Sequence, residues 1–451
     1  MANREDTDRH RAVPSGRIAR LAGFGRLAGG VAGSVIGQGA RQLASGQRPR
    51  MEDLLLTPGN AARLADRLSH LRGAAMKLGQ MISMDAGDML PPELADILAT
   101  LRDRANFMPP RQLDTVLAQE WGKDWRTMFR RFEPRPIAAA SIGQVHRALT
   151  RDGRMLAIKV QYPGVAQSID SDVDNVASLL KLSGLLPKEL DIAPLLTAAK
   201  EQLHEEADYR REGEQMQLYA RLLAGTDGFV VPELDEELTR DRILAMSFED
   251  GIPIESLASE PQDLRDIVFE RCIRLVAREL FEFGVMQTDP NFANFRYRRA
   301  DDGEAGQVVL LDFGATRAVA PDVGRAYRRL LEAGLAGDSN KIKAEAIAAG
   351  FMSPAVIERH PERVERMIAV IVGEMSEDAP FDFGDRSFVP LLRDEGMEIA
   401  KDRQTWHLPP AETLFVQRKV SGTALLGARL GARVNVRRVV EETLAKTDGG
   451  D

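Results

Sequence analysis

Hydrophobic and polar positions change their spacing twice along the chain, and each change marks a new kind of structure. From Thr57 onward, apolar residues recur every three or four positions, the spacing of an amphipathic helix. The residues that set this first period are Leu64, Leu68, Leu71, Ala75 and Leu78. Helical segments continue to about Trp125, so the chain opens with a helical arm.

At Ile137 the pattern becomes that of strands. Residues 137–163 predict strand, turn and strand, with Arg151-Asp152-Gly153 as the turn. We expect helices to follow, including one long charged helix over about 192–223. Short strand patterns recur at 229–231 and 242–247. This middle part is therefore a small β-rich unit with one long helix.

The third part is mainly helical, and it encloses one buried strand. Helices are predicted over 264–283, a hairpin around 299–306, and an apolar strand that ends at Asp312. The remainder is mostly helical to about Thr443, and the tail "KTDGGD" is expected to be disordered. The fold class is thus α+β. The predicted parts are a leader (1–50), a helical extension (51–135), a β-rich unit (136–248), a larger helical unit (249–440) and a tail (441–451).

Composition excludes several classes of protein. The 451 residues are 44% hydrophobic and 28% charged, which is ordinary for a globular chain long enough for two or three folded units. The net charge of −8 argues against nucleic acid as a partner. The single cysteine, Cys272, excludes an internal disulfide and fits a reducing compartment. The six histidines lack metal-ligand spacing, and His146 is expected to close a strand.

The leader differs in charge from the rest of the chain. Its 50 residues hold nine arginines and three acidic residues, so it is basic while the whole chain is acidic. Glycines at 25, 29, 33 and 37 line one helical face, the small-residue pattern of close helix pairing in lipid. The uncharged run 27–37 is too short to span a bilayer. A membrane-associated or dimerising helix and a flexible glycine-rich tether both fit. The early acids argue against a secretory or a typical mitochondrial targeting segment.

Four short pieces carry the candidate chemistry, and their order is that of protein-kinase phosphoryl transfer. Lys159 ends "LAIK" on a strand, acidic residues follow in "HEEADYRREGE", then come Asp289-x-x-x-x-Asn294 and Asp312-Phe313-Gly314. Each piece alone occurs by chance in many proteins and is then only structural. Together, in order and each in its required setting, they predict a site that positions charge around a nucleotide.

Two departures from a standard protein kinase change the prediction. The loop over the phosphates is normally rich in glycine, but here it reads "AAASIGQV" and contains only Gly143. After Asp312 the chain enters a helix almost at once, so the long activation segment that holds a peptide substrate is missing. Methyl groups stiffen the first loop, and the second departure argues against a protein substrate.

At this point the chain resembles the UbiB family of atypical kinase-like proteins, over roughly residues 70 to 440. The matching motifs are "KLGQM" (KxGQ), "AAASIGQVH", "KVQYPGVAQSI", "EADYRRE" (ExD), "VMQTDPNFANF", "LLDFGATR" and "PFDFG" at 380–384. Gln287-Thr288 before the aspartate resembles the ADCK branch, which supports coenzyme Q synthesis. The resemblance implies a bilobal, protein-kinase-like fold, in which an N-terminal helical extension packs over the active site. Residues 136–248 would be the N-lobe and 249–440 the C-lobe.

The resemblance also implies roles for single residues. Asp289 would be the catalytic aspartate and Lys159 the phosphate-binding lysine, held by Glu212, while Asn294 and Asp312 would bind Mg²⁺. The nucleotide would be contacted by the alanine loop and by a hinge: Ala138, Ala139, Ala140, Ser141, and Met246, Ser247, Phe248, Glu249. Regulation would involve Lys77 and Gln80 over the site, with Lys77 facing Glu206 and Asp208.

These expectations combine into an ATP- and Mg²⁺-dependent kinase or ATPase that supports ubiquinone biosynthesis at a membrane. The alternatives are a nucleotide-switched scaffold for quinone-biosynthesis enzymes and a true protein kinase. Expected partners are a nucleotide, an anionic lipid membrane, and quinone-biosynthesis proteins or lipids; a homodimer is a further possibility. The expected location is peripheral to a bacterial inner membrane or, alternatively, the matrix side of the mitochondrial inner membrane.

Overall fold

The structure, a computed structural model, describes residues 107–182, 193–300, 305–405 and 410–448. The basic leader, most of the helical extension and the KxGQ motif lie outside these residues, so the predictions made for them stay predictions. The described residues divide into two units. The first holds those up to Glu214 together with Glu233–Phe248, and the second holds Gln215–Pro232 and those from Glu249 onward. The domain bounds given above likewise stay a prediction.

The first unit combines antiparallel strands with four helices. The helices are α1 (Pro110–Trp121), α2 (Val165–Leu182), α3 (Ala193–Ala207) and α4 (Tyr209–Leu222), the last of which continues into the second unit. The strands are β1 (Phe129–Phe132), β2 (Ala138–Ala139), β3 (Gly143–Thr150), β4 (Met155–Gln161) and β6 (Ile243–Ser247); a 3-10 turn covers Trp125–Met128. The predicted strand–turn–strand over 137–163 is confirmed.

The strands of this unit form one antiparallel sheet in the order β1-β3-β4-β6, and β2 adds to β3. β4 is central and almost fully buried, because α1 and the 3-10 turn cover the sheet with aromatic side chains. The core packed there includes Leu117, Trp125, Phe129, Ile158 and Val160. Because successive side chains of a strand point to opposite faces, Lys159, between Ile158 and Val160, lies on the other face of the sheet.

The predicted single helix over 192–223 is wrong, because two helices meet at Asp208. α3 ends at Ala207 and α4 begins at Tyr209. The Oδ1 atom of Asp208 accepts a hydrogen bond from the backbone N–H of Arg211 at 3.0 Å. An aspartate that bonds the N–H three residues on is a helix N-cap, which starts a new helix rather than continuing the old one.

The second unit is mainly helical. Its strands are β5 (Phe229–Val230), β7 (Ile252–Pro253), β8 (Val285–Gln287), β9 (Phe295–Arg298), β10 (Gln307–Leu310), β11 (Thr316–Ala318), β12 (Phe381–Asp382) and β13 (Arg433–Val434). Its further helices are α5 (Gln262–Arg278), α6 (Pro321–Leu335), α7 (Ser339–Ala348), α8 (Pro354–Arg359), α9 (Pro361–Ser376), α10 (Val389–Ala400), α11 (Ala411–Leu430) and α12 (Val436–Asp448). Three 3-10 turns cover Ile254–Ser259, Phe292–Asn294 and Arg403–Thr405, and a π-helical turn, Glu279–Phe283, follows α5.

The candidate loops of this unit lie between short paired strands. β9 and β10 are antiparallel, so the predicted hairpin is confirmed, and β10 also runs parallel to β5. β8, which precedes the Asp289 loop, pairs with β11, which follows the Asp-Phe-Gly motif. Two small pairings therefore hold both the Asp289 loop and the Asp312 loop.

Two details at the ends of elements differ from, or bear on, the predictions. α12 runs to Asp448, so the disordered tail predicted from residue 441 is wrong for 441–448, where Thr443 and Leu444 are buried. α6 begins at Pro321, nine positions after Asp312, in agreement with a short segment there. Within the described ranges, no helix combines the length and apolar composition needed to cross a bilayer.

Candidate active site

Lys159 lies in the buried central strand β4, opposite Val145 of β3 and Leu244 of β6. Its Nζ atom donates to both carboxylate oxygens of Glu212, at 2.8 and 2.9 Å. Nζ also lies 5.1 Å from the centre of the buried Tyr209 ring. Glu212 is in the first turn of α4, where the helix dipole favours a negative charge. Strand and helix together hold the lysine in one position.

This ion pair is almost fully removed from water, and that has an energetic consequence. A buried pair is often no more stabilising than a well-packed apolar pair, but the removal of one partner costs about 3–5 kcal/mol because it leaves an uncompensated charge. Selection for stability alone does not explain why Lys159 and Glu212 are charged. A function that needs a fixed ammonium group does explain it.

The alanine loop precedes Lys159 in the sequence and contributes a short strand to the same sheet. Ala138 and Ala139 form the short strand β2 on β3, and Ala140 N–H donates to the carbonyl of Gly143 at 2.9 Å. Ser141 Oγ donates to Glu206 Oε2 at 2.5 Å. The loop is thus held both by backbone bonds and by one side-chain bond to a carboxylate.

Gly143 is required for packing at the end of this loop. A methyl group at this position would lie 2.6 Å from the Val160 carbonyl oxygen and 2.7 Å from the Tyr209 hydroxyl oxygen. Such contacts are far inside van der Waals distance, so only glycine lets β3 pass this close to β4 and Tyr209. The glycine retained in the alanine-rich loop therefore serves the fold of the first unit.

The two acids of the ExD motif have different surroundings. Glu206 is buried near the end of α3 and accepts from Ser141. Asp208 is exposed and caps α4. Lys77 and Gln80, which the resemblance places opposite them, lie outside the described residues. The predicted contact of Lys77 with these acids stays a prediction.

The predicted hinge residues follow the edge strand β6. Met246 is buried in that strand. The backbone N–H groups of Ser247 and Phe248 donate to the carbonyls of Glu233 and Met155, at 2.8 and 2.9 Å. Glu249 belongs to the second unit, where its Oε2 accepts from Arg298 at 2.9 Å. The amides of Ser247 and Phe248 are therefore bonded within the first unit.

In the second unit, Asp289 and Asn294 lie on the loop between β8 and β9. Asp289 Oδ1 accepts from the Asn291 N–H at 3.3 Å, and Asn291 caps the 3-10 turn that contains Asn294. The carbonyl of Asn294 accepts from Leu311 N–H at 3.0 Å. Thr288 donates from both its N–H and its hydroxyl to the Ala315 carbonyl, at 3.0 and 2.8 Å. Both ends of this loop are therefore bonded to the segment around Asp312.

Asp312 follows β10 and turns back on itself, since its Oδ1 accepts from the Gly314 N–H at 3.0 Å. Phe313 is buried, with its ring centre 5.1 Å from that of Tyr219. Asp312 and Asn294 line the same small cavity of about 10 Å³, the space of one water-sized sphere.

The side-chain chemistry of Asp312 and Asn294 fits a magnesium ion. Asp312 supplies a carboxylate and Asn294 an amide, and Mg²⁺ prefers such oxygen ligands, usually one or two from protein with the rest from phosphate and water. Among the described residues, no three His, Cys, Asp or Glu side chains are grouped to hold a metal, so an all-protein cage is not present in that part of the chain. The buried Asn294 Nδ2 atom has no hydrogen-bond partner within the described residues. This N–H₂ group can only donate, so it fits a phosphate or water oxygen, while the Oδ1 atom of the same side chain would be the metal ligand.

The same cavity is lined by a set of buried polar side chains that the sequence did not indicate. Its members are Tyr219, Glu279, Gln287 and Lys419. Burial raises the pKa of Glu279, while the Lys419 ammonium and the hydrogen bond from Tyr219 oppose that rise. Burial also raises the pKa of Tyr219 well above its usual value, so this phenol stays protonated and donates.

Comparison with known proteins decides the family. Residues 100–346, more than half of the chain, match the model of the ABC1 atypical kinase-like domain. The chain belongs to the ABC1 atypical kinase-like family. This match and the relatives described below together confirm the predicted resemblance to UbiB proteins of the coenzyme-Q-supporting branch, and the match confirms the kinase-like α+β fold class. The helical extension within that fold class stays a prediction.

Relatives with high coverage support this family assignment. The chain is 36% identical to "Atypical kinase COQ8, mitochondrial" of Saccharomyces cerevisiae, over 98% of this chain and 87% of that protein. It is 38% identical to "Atypical kinase COQ8B, mitochondrial" of Rattus norvegicus, over 97% of this chain and 82% of that protein. Among solved structures, that of the Rv3197–erythromycin complex from Mycobacterium tuberculosis is similar in fold, with a TM-score of 0.59, 22% identity, and 84% and 93% of the two chains covered.

Proposed function

We propose that this ABC1-family chain is an ATP- and Mg²⁺-dependent atypical kinase or ATPase that supports ubiquinone biosynthesis at a membrane. The observation that carries the proposal is the buried ion pair of Lys159 and Glu212. A lysine fixed on the central strand by a helix carboxylate is the phosphate-binding arrangement of kinases. The coenzyme Q role comes from the family resemblance and from the names of the relatives.

Four residues would divide the chemistry. Lys159 would neutralise charge on the nucleotide phosphates, and Asp289 would orient the attacking hydroxyl or water. Asn294 and Asp312 would bind Mg²⁺, which when bound neutralises the phosphate oxygens. Phosphoryl transfer asks for positioned charge rather than for covalent help from the protein. The nucleotide would contact the alanine loop and the hinge at 246–249.

The KxGQ segment would regulate this site. Lys77 and Gln80 are three positions apart, so they share one face of a helix. Of the two acids proposed to face Lys77, Glu206 is buried and bonded to Ser141, while Asp208 is exposed. A lysine that reaches Glu206 would compete with Ser141 for the same carboxylate, and that competition would couple the arm to the alanine loop.

The proposed location is peripheral to a membrane. The relatives' printed names carry the word "mitochondrial", which favours the mitochondrial alternative. The bacterial inner membrane, named first from the sequence, has no support in these comparisons. The basic leader would supply attraction to anionic lipid. Quinone-biosynthesis proteins or lipids, and a second copy of the chain, are proposed as further partners.

A true protein kinase is the weaker alternative. Only eight residues separate Asp312 from α6, with the short strand β11 among them. A peptide substrate would need a platform that this segment is too short to build. A nucleotide-switched scaffold differs from the proposed enzyme in turnover alone.

The deciding experiment is ATP hydrolysis by the purified full chain. It is measured with and without anionic liposomes and a phenolic quinone-precursor analogue, and beside Asp289→Asn and Asp312→Asn. We expect turnover that rises with lipid and phenol and falls at least 100-fold in both variants. The control is Asp322→Asn, which changes an exposed carboxylate in the first turn of α6. Tight Mg-nucleotide binding without turnover under any condition would favour the scaffold.

Membrane attachment needs a separate test. Deletion of residues 1–45 should reduce flotation with anionic liposomes, and raised salt should weaken flotation of the parent chain because the attraction is electrostatic. A deletion variant that floats as well as the parent would remove the leader from the proposal.

A further inference from the structure

Lys419 lies in α11 and is buried, although the sequence around it, "FVQRKVSG", gives it no assigned role. Its Nζ atom donates to Gln287 Oε1 at 3.1 Å and lies 3.6 Å from Glu279 Oε2. Nζ is also 5.3 Å from the centre of the Phe295 ring, within the range of a cation–π contact. One buried ammonium group thus contacts three different segments of the second unit.

Two of these segments are the two ends of the Asp289 loop. Gln287 is two residues before Asp289, and Phe295 directly follows Asn294. A cation that binds both Gln287 and Phe295 brings the start and the end of the loop to one point. The positions of Asp289 and Asn294 between them depend on that closure.

Glu279 extends the same network to the Asp-Phe-Gly segment. Its Oε1 accepts from the Gln287 N–H at 3.1 Å and from the Tyr219 hydroxyl at 2.6 Å. Tyr219 in turn packs on Phe313, next to Asp312. Glu279 begins the π-helical turn after α5. Such turns are rare in proteins, and those that occur are often found at functional sites. The residue next to each proposed metal ligand, Phe295 or Phe313, therefore contacts this buried network.

We propose that Lys419, paired with Glu279, is a positioning residue that fixes the Asp289–Asn294 loop for Mg-nucleotide binding. The proposal deepens the proposed function and rests on it, because Asn294 and Asp312 have to be the metal ligands. Lys419 itself would touch neither metal nor nucleotide. Its effect would pass through Gln287 and Phe295 to the loop, and through Glu279 and Tyr219 to Phe313.

The variants are chosen to separate positioning from folding. Lys419→Met alone leaves Glu279 buried without its cation, and this variant is expected to fold poorly. The double variant Lys419→Met/Glu279→Gln removes both charges and keeps an amide oxygen that accepts from Tyr219 and Gln287. The control is Lys401→Met, because Lys401 is an exposed lysine that pairs with Glu398 at the end of α10.

Two measurements follow, and neither needs turnover. The first is Mn²⁺ binding, followed by electron paramagnetic resonance in the presence of a non-hydrolysable ATP analogue. The second is amide hydrogen exchange over residues 286–296, with α9 as the internal reference. For the folded double variant we expect at least tenfold weaker Mn²⁺ binding and at least tenfold faster exchange in the loop, with unchanged exchange in α9. Lys401→Met should match the parent in both.

If the double variant binds Mn²⁺ within twofold of the parent and its loop exchange is unchanged, Lys419 contributes only to packing and the proposal is wrong. Faster exchange everywhere, α9 included, would mean a general loss of stability and would also overturn the proposal. Should the parent bind no Mn²⁺ with the analogue, the proposed function has failed, and loop exchange alone then decides whether Lys419 fixes the loop.

Discussion

Ser141 Oγ donates to Glu206 Oε2 at 2.5 Å, which ties the alanine loop directly to the last turn of α3. Glu206 is also the first acid of the ExD motif. The carboxylate that holds the loop is therefore the one to which the family resemblance assigns a lysine of the regulatory arm. Loop and arm would meet at a single side chain.

Ser141→Ala removes this bond and should loosen the alanine loop. A hydrogen bond to a charged acceptor contributes about 1.5–3 kcal/mol to stability. We expect its loss to destabilise residues 137–143 more than the rest of the sheet. We expect faster amide exchange in that segment and weaker ATP binding, measured by exchange mass spectrometry and calorimetry. Ser178→Ala is the control, since that hydroxyl donates only to its own helix, at Asp174. Equal exchange in Ser141→Ala and parent would mean that backbone bonds alone hold the loop.

Local patterns were sufficient to predict most of the first unit and the hairpin of the second. Strand alternation around Lys159 and the turn at 151–153 depend on neighbours in sequence, so they could be read directly. The break between α3 and α4 was missed because Asp208 stands within a charged run that is equally compatible with one helix. The cap that decides the matter is a side-chain geometry, and helical spacing carries no information about it.

The candidate site was predictable only where motifs are contiguous. Asp289, Asn294 and Asp312 occur in short recognisable pieces. Lys419 was missed because its partner Gln287 is 132 positions away, and a lone lysine on an apolar helix normally reaches to solvent. Pairing between residues so far apart in sequence depends on how the unit packs, and local sequence patterns do not predict it.

Lys159→Met should destabilise the first unit by about 3–5 kcal/mol, because Glu212 remains buried without its cation. The double variant Lys159→Met/Glu212→Met should recover most of that loss, since an apolar pair fills a similar volume. Urea unfolding followed by the fluorescence of Trp121 and Trp125, which pack in the first unit, measures both.

ATP hydrolysis should remain undetectable in both lysine variants, whatever their stability. This contrast separates the structural effect of the ion pair from its role at the phosphates. Measurable turnover in the stable double variant would show that Lys159 is dispensable for the chemistry.

Acidic pH should lower the stability of the first unit, because His146 is buried there as a neutral ring. This residue lies in the middle of β3, so the expectation that it closes a strand is wrong. The carbonyl of Glu133 can only accept, so the Nδ1–H of the neutral ring donates to it, at 2.8 Å, and Nε2 accepts from the Gln144 amide, also at 2.8 Å. Burial lowers the pKa of His146 from 6.5 to about 4.

The sign of the effect follows from proton binding. Between about pH 4 and 6.5 the unfolded chain binds the imidazole proton and the folded chain does not, so stability falls as pH decreases through this range. At pH 4 the loss from this residue amounts to about 3 kcal/mol at most. Urea unfolding of His146→Gln should lose this part of the pH dependence, whereas His204→Gln, at an exposed histidine, should keep it. Identical pH profiles for His146→Gln and parent would contradict the assignment.

Gly143→Ala should destabilise the first unit because the added methyl group has no room. It would meet the Val160 carbonyl and the Tyr209 hydroxyl, and the backbone carbonyl cannot move without breaking the pairing of β3 and β4. Overpacking of this kind costs about 1–3 kcal/mol. The matched control is Gly334→Ala in α6, where the methyl group meets nothing within 4 Å and the helix gains about 0.5–1 kcal/mol. The urea unfolding midpoints of the two variants should therefore shift in opposite directions.

Because Tyr209 lies under Lys159, Gly143→Ala should also weaken ATP binding, while Gly334→Ala should leave it unchanged. Equal nucleotide affinities would show that Tyr209 can shift without disturbing the lysine.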